Sequence, residues 1–237
     1  MSAQRIKAQL KRHASHQRAQ GAALFFKTGP GEYSEGDLFI GVSVPKIRTV
    51  AKEFSDLSLV EIEKLLKSKI HEHRLIALII LTNQSILALK KEDLRTIKTN
   101  AKFYLKNKKY VNNWDLVDCS ARYVLGPVFF EKPIDPLIKM AKSKDLWTRR
   151  IAVLTTFHFI AESDFRATLE ISELLLKDGH DLIHKATGWM LREVGKRDET
   201  VLCQFLDKFC THMPRTMLRY AIERLPEKKR LAYLRAS

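Results

Sequence analysis

The sequence predicts an all-α protein built as an array of helical hairpins. Three observations lead there. Apolar residues recur at spacings of three and four along most of the chain. No convincing alternating run of β type competes with them. Breaker residues then cut the chain into helices of roughly 10 to 18 residues with short connections. A chain of 237 residues with 45% hydrophobic content can bury one extended core, so residues 1–237 are read as a single domain.

The elements follow in order. The stretch from Met1 to Gln20 lacks the apolar run of a signal peptide, and no segment approaches the ~20 apolar residues needed to span a bilayer, which places the chain in the cytoplasm. Four of the nine glycines (Gly29, Gly31, Gly36, Gly41) crowd into KTGPGEYSEGDLFIGVSVP. Without a Gly-Lys-Ser/Thr ending this is a loop and not a phosphate-binding Walker motif; arranging the first helices or contacting a backbone are its two readings. Helical stripes run through Leu59–Ile70, His73–Leu81, Arg149–Ile160 and Leu202–Cys210. Breaks are expected at Asn83, Gly126-Pro127, Pro133, Pro136, Asp178-Gly179, Pro214 and Pro226. A weak repeat runs through these helices: Ala77, Ala152, Ala186 and Ala221 each follow a basic residue inside an apolar run, and the last three are 34 and 35 residues apart. Small residues at such places let paired helices approach closely.

Charge sets the partner class. The 42 Lys and Arg against 27 Asp and Glu leave a formal charge of +15, which favours polyanions by steering and counterion release. Cys119, Cys203 and Cys210 fit no zinc spacing and read as reduced core residues. The two imidazoles of His71-Glu72-His73 point apart on a helix and no third ligand stands nearby, so no metal and no cofactor are assigned.

Chemistry concentrates around the three tryptophans, Trp114, Trp147 and Trp189, which stand 33 and 42 residues apart, close to the length of one helix pair. Equivalent faces of stacked repeats would carry them to one surface. In NNWDLVD, Asn112 or Asn113 can cap a helix starting at Trp114. At about 100° per residue, Asp118 then lies about 40° around from Trp114, so the two share a face. Two readings stay open for them: a functional pair, or a core aromatic beside a carboxylate paired with an arginine. Asp115 is read as complementing the helix dipole. In LWTRR, Arg150 falls about 60° from Trp147, and an arginine beside alanine is commonly solvated or salt-bridged. In KATGWMLRE, Lys185, Trp189 and Arg192 occupy adjacent strips of one face. Gly188 there costs ~1 kcal/mol relative to alanine, which points to close approach by a neighbouring helix more than by a ligand.

These same segments resemble the HEAT-like-repeat DNA glycosylases for alkylated purines, the AlkD-type DNA alkylation repair enzymes, over most of the chain. The resemblance is carried by W-D-x-x-D (Trp114 to Asp118), W-x-x-R-x-A (Trp147 to Ala152) and K-A-x-G-W-x-L-R-E (Lys185 to Glu193), with GVSVPKIR (Gly41 to Arg48) in support. It implies a HEAT-like helical-repeat solenoid with a concave basic groove. It also implies a catalytic carboxylate at Asp118, flanking tryptophans at Trp114 and Trp189, a backbone-contacting catalytic arginine at Arg150, and a base that stays stacked in the duplex. Arg149, Lys185, His184, Arg192 and Arg48 are the further candidates for contact with double-stranded DNA, and the protein is expected to act as a monomer. Asn113 departs from the family, many of whose members have an aromatic residue there.

The resemblance implies hydrolysis of the N-glycosidic bond of cationic N3- and N7-alkylpurines, and the residues make that intelligible. Most glycoside hydrolysis uses two carboxyl groups, one of them protonating the leaving group. A purine already cationic departs as a neutral base without that acid, so one carboxylate suffices. Two alternatives compete: a non-catalytic DNA-structure binder on the same fold, which would not need Asp118, and a helical scaffold for an acidic protein, in which the tryptophans are packing residues.

Overall fold

The computed structural model describes residues 1–236. Its helices fall into two compact units, Met1–Val124 and Leu125–Ser237, and apart from an isolated parallel bridge between Leu38 and Ile70 no strand forms among the described residues.

The first unit runs α1 (Ala3–Arg12), α2 (His16–Phe25), α3 (Val44–Glu53), α4 (Leu59–Leu66), α5 (His71–Lys90), α6 (Leu94–Asn107), α7 (Trp114–Asp118) and α8 (Ala121–Val124). Its axis is α5. Every residue from His71 to Thr82 is buried, because α3, α4, α6, α7 and α8 all pack on this one helix. An all-round buried helix needs apolar side chains on every face, which LIALIIL provides. Burying each such leucine or isoleucine contributes about 1.5–3 kcal/mol.

Two expectations fail in this unit. No break occurs at Asn83, which is exposed and lies within α5; the buried face continues past it through Ser85 and Ala88. The stripe from Leu59 does not reach Ile70, since α4 ends at Leu66. Backbone pairing is the reason: Lys69 O accepts from Leu38 N at 3.1 Å, and His71 N donates to Leu38 O at 2.8 Å, which draws residues 69 and 70 out of helical register.

The glycine-rich loop takes the first of its two readings and arranges the helices. The Glu72 carboxylate accepts from the backbone N–H groups of Ile40, Gly41 and Val42, at 2.7 Å from Gly41. Gly41 has φ +73°, and a Cβ there would stand 2.1 Å from Ser15 O, so only glycine lets the loop close over the start of α2.

The second unit comprises α9 (Gly126–Phe130), α10 (Asp135–Ala141), α11 (Leu146–Ala161), α12 (Arg166–Leu174), α13 (Asp181–Arg197), α14 (Glu199–Phe209), α15 (Arg215–Ala221) and α16 (Glu227–Ala236). The chain breaks as expected before Pro127 and Pro136, and both prolines sit in the first turn of the helix that follows, where a missing N–H costs nothing. α11 packs on α9, α10, α12 and α13, and α13 packs in turn on α14 and α15. Gly188 of α13 admits α15, since a Cβ would meet Met217 O at 2.4 Å. Ala77, Ala152, Ala186 and Ala221 are all at most 1% exposed, as close helix packing requires.

A hydrogen-bonding device recurs at helix entrances. Arg74, the fourth residue of α5, donates to the carbonyls of Ser68 and Lys69 and pairs with Asp37 at 2.6 Å. Arg149, the fourth residue of α11, donates to Ser143 and Lys144, again six and five residues back, and pairs with Asp178 at 2.7 Å. His184, the fourth residue of α13, reaches the carbonyl of Asp178, also six residues back. Each side chain satisfies carbonyls that the preceding turn leaves unpaired.

Candidate active site

In the first unit the candidate site is organised by α7, a helix of five residues. Asn113 caps it, its Oδ1 accepting from Trp114 N at 2.8 Å, and is itself wholly buried, with Nδ2 donating to Ser34 Oγ at 2.5 Å. The departure from the family's aromatic at this position is therefore a capping residue tied to the loop. Trp114 and Asp118 share a face as the spacing requires. Both line a cleft of about 250 Å³, together with Asp115 of the same helix, Arg48 of α3 and the apolar side chains of Val44, Leu75 and Ile79. A carboxylate beside an aromatic face and an apolar wall suits a cationic group with a flat body.

The Trp114 ring is held by neighbours. It stacks on Phe26 with centroids 5.3 Å apart, and Phe25 meets it edge-on at 5.9 Å. Phe26 stacks in turn on Phe39, at 5.1 Å, and both lie within 5 Å of the His71 ring.

His71 is the residue that spacing alone did not reveal. Its Nε2 lies 2.7 Å from Asp115 Oδ2 and its Nδ1 3.4 Å from Asp37 Oδ2. Burial would lower its pKa, but the hydrogen bonds to Asp115 and Asp37 outweigh that and hold it raised to about 8. Asp37 is held below its ordinary value: burial raises it, and its bonds to His71 and Arg74 overcome that. Asp115 thus does more than complement the helix dipole. Neighbouring Cys119 also lines the cleft, and burial, with the charges of Asp115 and Asp118, pushes its thiol well above its ordinary pKa.

Within the second unit, Trp189 is partly exposed. It meets Phe157 edge-on at 5.6 Å, and its Nε1 donates to Glu193 Oε1 at 3.0 Å. Trp147 does not reach a surface as the tryptophan spacing led one to expect; at 8% exposure it belongs to the core of this unit. Arg150 is 4% exposed, and its Nη1 donates to Leu182 O, tying α11 to the first turn of α13. Arg149, a candidate for DNA contact, is instead salt-bridged to Asp178, and His184 is bonded to the Asp178 carbonyl. Arg192 pairs with Glu223. Lys185 is the most open of the second unit's five candidate basic residues, in an i,i+4 pair with Asp181 at 2.7 Å whose members are 41% and 55% exposed.

No group of three or more His, Cys, Asp or Glu side chains among the described residues is placed to hold a metal ion. Cys119, Cys203 and Cys210 are free thiols. No helix among the described residues is long and apolar enough to cross a membrane.

The fold is similar to that of a solved structure described as a predicted DNA alkylation repair enzyme from Enterococcus faecalis. The TM-score is 0.69 at 14% identity, with 91% of this chain and 98% of the other covered. No curated protein matches the chain. The family model for DNA alkylation repair enzymes matches residues 6–225. With that match spanning nearly its whole length, the chain belongs to the DNA alkylation repair enzyme family.

Proposed function

We propose that the protein is a monofunctional DNA glycosylase that hydrolyses the N-glycosidic bond of cationic N3- and N7-alkylpurines, of the 3-methyladenine and 7-methylguanine type, in double-stranded DNA. One observation carries this reading: a single short helix presents the Asp118 carboxylate and the Trp114 ring to one cleft, with Arg48 beside them. A DNA binder without chemistry would have no use for that carboxylate.

In the proposed reaction the glycosidic C1′–N bond breaks and its electron pair goes to the purine, which leaves as a neutral base. Asp118 stabilises the cationic sugar and orients water; the water oxygen bonds to C1′, and its proton passes to solvent. The face of Trp114 adds cation–π attraction worth ~0.5 to 2 kcal/mol, and the resemblance assigns Trp189 the same part. Arg150 is assigned a phosphate; its side chain is 4% exposed and bonded to the Leu182 carbonyl, so it meets that phosphate only by giving up part of this burial for a charge-assisted bond. Exposed Arg48 and Lys185, the latter in its surface pair with Asp181, are assigned further backbone contact, whereas Arg149 and His184 are engaged in the helix-entrance bonds described above. The base stays stacked in this scheme. A HEAT-like repeat reading is supported by the recurrence of those bonds at α5, α11 and α13 and by the four buried alanines.

The test is release of free base from separate duplexes that each carry one lesion. 7-Methylguanine and 3-methyladenine should be released, along with N7 adducts larger than methyl. Uracil, hypoxanthine and ethenoadenine should not, because their departure requires a proton or strong hydrogen bond that an anionic Asp118 cannot donate. Rapid uracil release, or no release of 7-methylguanine, would overturn the reading.

A further inference from the structure

On the glycosylase reading, we infer that His71 is a positioning residue for excision, acting as the doubly protonated imidazolium that joins Asp37 of the glycine-rich loop to Asp115 of α7 and so sets Trp114 and Asp118. The geometry requires both ring nitrogens to donate. Nε2 faces Asp115 and Nδ1 faces Asp37, and a carboxylate can only accept. A neutral imidazole has one N–H and would turn a lone pair toward one of the two anions. The raised pKa agrees with this.

The charged groups facing His71 are Asp115 from α7, Asp37 from the loop and Arg74 from its own helix. Arg74 alone would oppose the imidazolium, but its guanidinium is bonded to Asp37 at 2.6 Å and to the carbonyls of Ser68 and Lys69. Phe26 and Phe39 cover the ring.

His71 reaches the site by two routes. Its bond to Asp115 fixes the first turn of α7, whose other fastening, Asn113, also reaches the loop through Ser34 and Asp37. Its ring contact with Phe26 continues into the Phe26–Trp114 stack. A helix of five residues has too few internal hydrogen bonds to hold its own orientation, so the angle at which Trp114 and Asp118 meet a substrate depends on these ties. Asp115 Oδ1 is buried without a hydrogen-bond partner, which leaves the bond to His71 as the one that holds this carboxylate.

The experiment is single-turnover release of 7-methylguanine from duplex DNA by the full chain between pH 6.5 and 9, with uncatalysed release subtracted. It is run beside a fluorine NMR titration of protein containing 5-fluorotryptophan, with the Trp114 signal identified through Trp114→Phe. The excision rate should fall about tenfold from pH 7 to 9, as expected when a form with a pKa near 8 is lost, while DNA affinity holds. The Trp114 signal should move with the same midpoint. Asp115→Asn should shift both midpoints downward by at least about half a pH unit, and His71→Gln should abolish both transitions. A merely structural histidine would lower stability without moving either midpoint. The inference is overturned if the Trp114 signal does not titrate in the unsubstituted protein, or if His71→Gln or Asp115→Asn keeps the original midpoint. Absence of base release at every pH would defeat the glycosylase reading instead, and the fluorine titration would still decide whether His71 governs Trp114.

Discussion

Asp115 and Asp118 stand one helical turn apart, yet their surroundings assign them different work. Both line the cleft, but Asp115 turns one oxygen away to His71. Removing a group that acts mainly on a transition state costs at least ~10²-fold in rate, so Asp118→Asn should lower excision by that much with little loss of DNA affinity. Asp115→Asn, measured in the same single-turnover assay at pH 6.5, should cost much less, because an asparagine oxygen still accepts from His71 Nε2. Equal small effects would remove the basis for naming Asp118 the catalyst. The shared face of Trp114 and Asp118 was legible from sequence because it depends only on helical geometry. The His71 contacts were not: its partners Asp37 and Asp115 lie 34 and 44 residues away, and only the fold brings them together.

Among the elements, periodicity located α5 and α11 well, since burial on most sides leaves a broad apolar imprint, and α14 through the single apolar face of Leu202, Phe205 and Leu206. It overran α4, where a tertiary backbone pair with Leu38 overrides helical propensity, and it placed a break at Asn83, which the packing of α5 ignores. Gly188 was read correctly as a place of close approach. Gly188→Ala should therefore destabilise the protein by roughly 1–3 kcal/mol, the scale of overpacking, because the added methyl meets the rigid backbone of α15. Chemical denaturation at constant m-value would measure it, and an unchanged midpoint would refute the contact. Arg149 offers a second check. If it is a fastening of α11 and not a phosphate contact, Arg149→Ala should lower the melting temperature by several degrees and leave the salt dependence of DNA binding unaltered.

For the whole molecule, the charge of +15 makes binding to duplex DNA depend on salt, with a log–log slope of about −0.9 per phosphate engaged. Lys185→Ala and Arg48→Ala should each flatten that slope by about one such unit, and a salt-independent affinity would contradict the electrostatic grip. Stability should also depend on pH with opposite signs on either side of about 6.5. His71, raised to about 8 in the fold, contributes stability that is complete below its unfolded value and is lost as pH rises through 8. His73 is buried and lowered to about 4, chiefly by desolvation, so its neutral form must be charged on unfolding as pH falls from 6.5 toward 4, and stability declines there too. Melting temperatures across pH 5 to 9 should trace a maximum near neutrality; a monotonic rise to pH 9 would contradict the His71 assignment. The Cys119 thiol, finally, sits in the cleft of a protein from an alkylation repair family. Electrophiles that methylate DNA also attack thiolates. Desolvation, with the charges of Asp115 and Asp118, raises the pKa of this half-buried sulfur, which disfavours the thiolate that such reagents attack.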